Sequence, residues 1–123
     1  MPTIPPKVLE KLYMKGSLRL EEEGFAFELK NLIAPATITE VTCLHVDGIA
    51  RDDAALAIVP PSGNPRPADR VAGSRPLDFP VGTVVTIRVS GEPLSSGTHH
   101  IALCIKLKEI GSLEIPVSDT VQA

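Results

Sequence analysis

Three histidines, two cysteines and two knots of carboxylates are the side chains whose types could carry chemistry. His99 and His100 are adjacent, and adjacent residues on a strand point to opposite faces. The two imidazoles therefore cannot both reach one metal while the strand stays regular. His99 shares the side of Ile101 and Leu103, at a strand entrance beside Gly97, where a histidine bonds to its own loop. His45 lies between Leu44 and Val46. A metal site made from one of these histidines and a carboxylate stays open on geometry. A cupin-type site does not. It needs two histidines with one residue between them and a downstream Glu on the same face, whereas here the histidines are adjacent and Glu109 lies close to a hairpin turn.

Asp47, Asp52 and Asp53 gather near Gly48. A hard cation wants about six or more oxygens, and the calcium-loop spacing D-x-D-x-D-G is absent, so these read as turn and cap carboxylates. Glu21-Glu22-Glu23 reads as a solvated hairpin turn, and Ser95-Ser96 before Gly97 as turn chemistry. No G-x-S-x-G elbow, Walker loop or G-x-G-x-x-G occurs. Cys43 and Cys104 sit singly in apolar, β-like runs. They read as two small core residues in a reducing compartment. A disulfide stays open, since it needs only Cα atoms ~4.4–6.8 Å apart.

Composition narrows the partners. Net charge is −3, with 43% hydrophobic and 22% charged residues over 123 positions, as in an ordinary soluble domain. Trp is absent, Phe is 3 and Tyr is 1. Stacking platforms for single-stranded nucleic acid need aromatics beside a cationic groove, so nucleic acid is excluded as the expected partner. Sugar sites of the stacking type are disfavoured for the same want of aromatics. No apolar run approaches the ~18–20 residues of a membrane span. Met1–Lys7 has three prolines and no apolar leader, so the expected location is cytoplasmic.

The elements that would position these residues are mostly strands. Residues 1–16 read as an N-terminal leader, with Val8–Lys15 the one helix candidate, and residues 17–123 as a single domain. Leu18 and Leu20, then Phe25, Phe27 and Leu29, alternate with polar residues around Glu22-Glu23-Gly24, which predicts a hairpin. Thr37–Val46, Ala55–Val59, Thr83–Val89, His99–Leu107 and Ser112–Val117 read as further strands. Asp47-Gly48 is a turn pair, and Pro116 marks the last strand as an edge. Pro61–Pro80 holds five prolines, two glycines and the three arginines Arg66, Arg70 and Arg75. This loop, spanning 60–80, is either a solvated connection or a lid or partner-contact arm. About seven to eight short strands predict an all-β, two-sheet antiparallel β-sandwich, Ig-like or jelly-roll-like.

The order of landmarks adds a resemblance. Gly24-Phe25-Ala26-Phe27 opens one strand, and Val46-Asp47-Gly48 ends the next long one. Gly82-Thr83 starts another, and Leu94-Ser95-Ser96-Gly97-Thr98-His99-His100-Ile101 introduces the last long one. Over roughly Gly24 to Leu107 this layout resembles the small β subunits of bacterial C-glycoside deglycosidases. The resemblance implies a non-catalytic subunit of a hetero-oligomeric, lyase-type complex. Its partner would be a larger TIM-barrel subunit carrying a divalent metal, manganese, and cleaving the C–C bond of 3-oxo C-glycosides. No cofactor and no catalytic residue then fall on this chain. Its candidate partner-contact or site-bordering residues are Arg66, Arg70, Arg75, His99 and His100. Small chains of this layout also carry a hydroxymethylglutaryl-CoA reductase label. The residues do not support that activity, for there is no nucleotide-binding loop and no room for two substrates and a catalytic domain. The alternative is a stand-alone binding sandwich, or a homo-oligomeric structural one pairing through the Ser112–Val117 edge.

Overall fold

Strict alternation of apolar and polar residues is a two-residue period, and it drives this chain into antiparallel strands with one face buried. The computed structural model describes residues 6–22, 24–33, 35–51, 55–61, 63, 65–67, 71, 74, 76–91, 94–109 and 111–121. It begins with one short helical turn, α1 (Pro6–Leu9), continued as a 3-10 turn over Glu10–Leu12. Ten strands follow among the described residues. They are β1 (Arg19–Glu21), β2 (Gly24–Lys30), β3 (Ala36–Val46), β4 (Ile49–Ala50), β5 (Ala55–Val59), β6 (Arg66–Pro67), β7 (Leu77–Phe79), β8 (Val84–Ser90), β9 (Gly97–Leu107) and β10 (Gly111–Val121).

The strands form two antiparallel sheets of five, a β-sandwich as the alternation predicts. One sheet runs β1-β2-β8-β5-β6. The other runs β10-β9-β3-β4, with β7 also on β3. Ile38 pairs with Leu107 of β9 and with Leu77 of β7, so those two strands flank opposite edges of β3. Ten strands rather than seven or eight arise because β4, β6 and β7 hold two or three residues each, too few to show a period. β10 is an edge strand, which leaves Pro116 free of the obligation to donate to a second neighbour.

The core lies between the sheets. Phe25, Phe27 and Leu29 of β2 and Val85, Ile87 and Val89 of β8 meet Ile101, Leu103 and Ile105 of β9 and Ile115 and Val117 of β10 in one buried cluster. The N-terminal segment joins it through Leu9, Leu12 and Tyr13. Tyr13 sets an edge against Phe27, with ring centroids 6.3 Å apart. Its hydroxyl donates to Asp119 Oδ2 at 2.6 Å and accepts from the Leu18 amide at 2.9 Å. Asp119 Oδ2 also accepts from the Gly16 amide at 2.7 Å. Two ends of the chain are thereby tied by a charge-assisted network. Burial raises the Tyr13 pKa, while the Tyr13 hydrogen bond lowers that of Asp119. Among the described residues no helix is long and apolar enough to cross a membrane.

β3 and β9 carry the register on which the site depends. Their pairing shifts twice, between Ile38 and Glu40 and between Val41 and Cys43. Each shift inserts one extra residue on β3. One extra residue reverses which face a side chain takes, and two restore it. Leu44 and Val46 therefore point into the core as Ile38 does. Cys43 and His45 take the outer face, with Cys43 directly opposite Cys104.

Candidate functional site

Three large apolar side chains stand out in water near one end of the sandwich. Leu32 is 55% exposed, Ile33 41% and Val81 53%. Isolated exposed apolar residues need no explanation, but a cluster beside an apolar recess does. Beside them is a cleft of about 240 Å³. Leu12, Ile33, Phe79, Leu107, Leu113 and Ile115 supply most of its apolar wall. They come from the N-terminal turn, the β2–β3 connection, β7, β9 and β10, so the cleft forms where the N-terminal turn and the β2–β3 connection meet the β10-β9-β3 sheet.

Asn31, which is 3% exposed, braces this wall. Its Nδ2 donates to the Phe79 carbonyl at 2.6 Å and its Oδ1 accepts from the Ile33 amide at 3.0 Å. Its own amide donates to the Thr83 carbonyl at 3.1 Å, and its carbonyl accepts from Gly82 at 2.8 Å. Glu109 supplies an acidic rim. Its Oε1 accepts from the Thr37 amide and its Oε2 from the Thr37 hydroxyl, both at 2.9 Å. The amide bond from Thr37 is the main cause that lowers its pKa. The cleft thus offers apolar surface with little polar recognition, which suits an apolar side chain or segment better than a charged substrate.

The histidines part as their alternation requires. His99 is buried and His100 is exposed. His99 Nδ1 lies 2.6 Å from Asp47 Oδ2 and its Nε2 2.7 Å from the Ser95 carbonyl. Both partners are acceptors, so both contacts are hydrogen bonds only in the imidazolium form. The Asp47 bond, then the Ser95 carbonyl, raise its pKa above the ordinary 6.5. With both nitrogens engaged, His99 is a clamp between the β3–β4 turn and the start of β9 and offers no lone pair to a metal. Asp47 sits at φ +52° and Gly48 at φ +82°, a left-handed pair closing the Val46–Ile49 hairpin. Asp47 Oδ1 also accepts from the His100 amide at 2.9 Å. His100 Nδ1 meets the Ser118 hydroxyl at 2.9 Å. His45 and His100 line one shallow groove on the outer face, together with Glu114 and Ser118.

The clamp makes a pH-dependent contribution to stability. A raised histidine pKa stabilises the fold fully below the unfolded value near 6.5 and loses that contribution as pH rises through the folded value. Asp47 has a lowered pKa, chiefly through the His100 amide, so its contribution is present above the unfolded 3.8 and lost as pH falls. Asn tolerates the left-handed turn as well as Asp does. The melting-temperature gap between wild type and Asp47→Asn should therefore be widest between these limits. It should narrow as pH rises past the His99 pKa, leaving only what the His100 amide gives the carboxylate. A gap that grows on the alkaline side would contradict the clamp.

The other sequence candidates scatter. Arg66 is half-buried in β6 and its Nη1 donates to the Pro76 carbonyl at 2.9 Å, bracing the 60–80 segment. Arg70, Arg75, Asp52 and Asp53 lie outside the described residues. Neither Arg66, His99 nor His100 lines the apolar cleft. Sequence reasoning missed the cleft because Asn31–Ala36 was only a connection. Its signal was Leu32-Ile33, two large apolar residues in a segment without a period. It also took Cys43 and Cys104 for core residues. Both are half-buried on the outer face and joined as a disulfide, with Cα atoms 4.9 Å apart.

A family model described as "Hydroxymethylglutaryl-CoA reductase, N-terminal domain" matches residues 8–122, nearly the whole chain. No curated protein matches it. The family match corrects the resemblance to C-glycoside deglycosidase small subunits, which form a different family. The landmarks behind that resemblance have local causes in this fold. Gly24 opens β2 against β8, Asp47-Gly48 is a hairpin turn, and the stretch before Ile101 holds the His99 clamp. Such landmarks report strand and turn chemistry, which unrelated sandwiches share. The manganese-bearing barrel subunit and the C–C lyase reaction rested on that resemblance alone and are not carried further.

Proposed function

This chain belongs to the hydroxymethylglutaryl-CoA reductase N-terminal domain family, and from that premise we propose that it is a non-catalytic docking domain of a larger enzyme assembly. The observation that carries the reading is the open apolar cleft under Ile33, flanked by exposed Leu32 and Val81. The family's description names a domain of a reductase, so a catalytic portion belongs to other sequence, on the same or another polypeptide. The occupant of the cleft is an apolar segment of that catalytic portion. The histidines support the same reading, because the buried one is spent on a structural clamp. The compartment is the cytoplasm, whose reducing poise would hold Cys43 and Cys104 largely as thiols.

Affinity purification of the tagged chain from its native host tests this reading, run beside Ile33→Glu. A carboxylate in an apolar wall costs its desolvation without a partner. Wild type should bring down one larger polypeptide in constant ratio, and Ile33→Glu should lose most of it while keeping its own melting temperature. Recovery of the wild-type chain alone, or equal recovery with both chains, would overturn the reading.

A further inference from the structure

The outer face of the β3–β9 pair holds a cluster that the docking reading leaves unused. Cys43, His45 and Cys104 place one ligand atom each within 4.8 Å of one another, and all three are half-buried. His45 Nδ1 lies 3.7 Å from Cys43 Sγ. Two ligands of one tetrahedral zinc, with Zn–S of about 2.3 Å and Zn–N of about 2.0–2.1 Å, stand roughly 3.5 Å apart. The imidazole is thus already near the separation that a shared metal requires.

The register explains how the three meet. Cys43 and His45 are two apart on β3, so they share a face. Cys104 shares it only because of the second shift in the β3–β9 pairing, between Val41 and Cys43. Without that extra residue Cys43 would oppose Leu103 and point into the core. Irregularities of this kind recur next to functional sites because they re-aim a side chain. Two soft thiolates and an imidazole make a zinc ligand set, with a fourth position left for water or a ligand.

We propose that Cys43, Cys104 and His45 form a redox-gated zinc(II) site, open as the dithiol and closed as the disulfide. The gating step balances with a small-molecule thiol as reductant. Two reducing thiols pass two electrons and two protons to the Cys43–Cys104 bond, giving two cysteine thiols and one small-molecule disulfide. Zinc then binds both sulfurs as thiolates and the neutral imidazole, releasing the two thiol protons to solvent. In reverse, a small-molecule disulfide takes two electrons and two protons from the metal-free dithiol, which restores the Cys43–Cys104 bond, gives two small-molecule thiols and removes both sulfur ligands.

Cobalt(II) added to the full chain, reduced with a phosphine and kept free of oxygen, is the probe. Thiolate-to-cobalt charge transfer and intense d–d bands report a tetrahedral sulfur-bearing site directly. The reduced chain should take up a single equivalent of cobalt, displaced by zinc, and the oxidised chain should take up none. His45→Ala keeps both cysteines and should weaken binding by at least about tenfold. Circular dichroism on the reduced, metal-free chain checks that the sandwich persists. Folded reduced protein with no tetrahedral cobalt spectrum would overturn the proposal, as would His45→Ala binding as tightly as wild type. Neither result would bear on the apolar cleft, which is built from other residues.

Discussion

Gly24→Ala should unfold or severely destabilise the sandwich, by about 3 kcal/mol or more, which is in the exceptional class for a single methyl. Gly24 opens β2 and faces Ser90 of β8. A Cβ built there would sit 1.9 Å from the Val89 carbonyl oxygen and 3.0 Å from its carbon. Those atoms are backbone, so no rotamer change relieves the overlap. The glycine also adopts φ +156°, which side-chain-bearing residues rarely adopt. Relief requires β2 to draw away from β8, and β2 carries Phe25 and Phe27 into the core. Gly63→Ala is the matched control. Gly63 has φ +86° with nothing within 4 Å of a built Cβ, so it should cost only about 1–2 kcal/mol of backbone strain. Guanidinium melts of the two variants check this, and equal losses would show that the close approach at Gly24 is not decisive.

Phe27→Ala should cost about 3–5 kcal/mol, the range for removing a fully buried aromatic ring. Phe27 is 0% exposed, with Tyr13 at its edge. Its loss removes apolar contact and also leaves a cavity into which the neighbouring strands cannot fully collapse. The effect should reach the N-terminal turn, because Tyr13 packs on the ring while its hydroxyl holds Asp119. Phe27→Leu fills much of the volume and should recover most of the loss. Denaturant midpoints across the pair give the comparison. Near-native stability of Phe27→Ala would mean that the two sheets do not depend on this contact.

The long strands were legible because each repeats its two-residue period several times. β8 shows Val85, Ile87 and Val89, and β9 shows Ile101, Leu103, Ile105 and Leu107. The Asp47-Gly48 turn was legible from residue type alone. The 60–80 segment was not, because β6 and β7 hold two and three residues, too few to show a period, and take strand form only by pairing with β5 and with β3. The cysteines show the same limit. Cys43 and Cys104 are 61 residues apart, and their facing positions follow from two register shifts that leave no mark in the sequence. His99 was legible as a strand-end residue, but its partner Asp47 is 52 positions away. The cleft depends on five separate segments, of which Leu32-Ile33 alone gave a local hint. The family resemblance went astray because it followed turn landmarks in order, and turn chemistry does not distinguish one sandwich family from another.

The most direct test of the docking account is site-specific photo-crosslinking in the native host. A photoreactive residue at position 32 places the probe beside the cleft. The control is position 49, where Ile49 is 69% exposed at the opposite end of β3. The account predicts one discrete adduct of higher mass from position 32 and none from position 49. No adduct from position 32, or the same adducts from both positions, would contradict it.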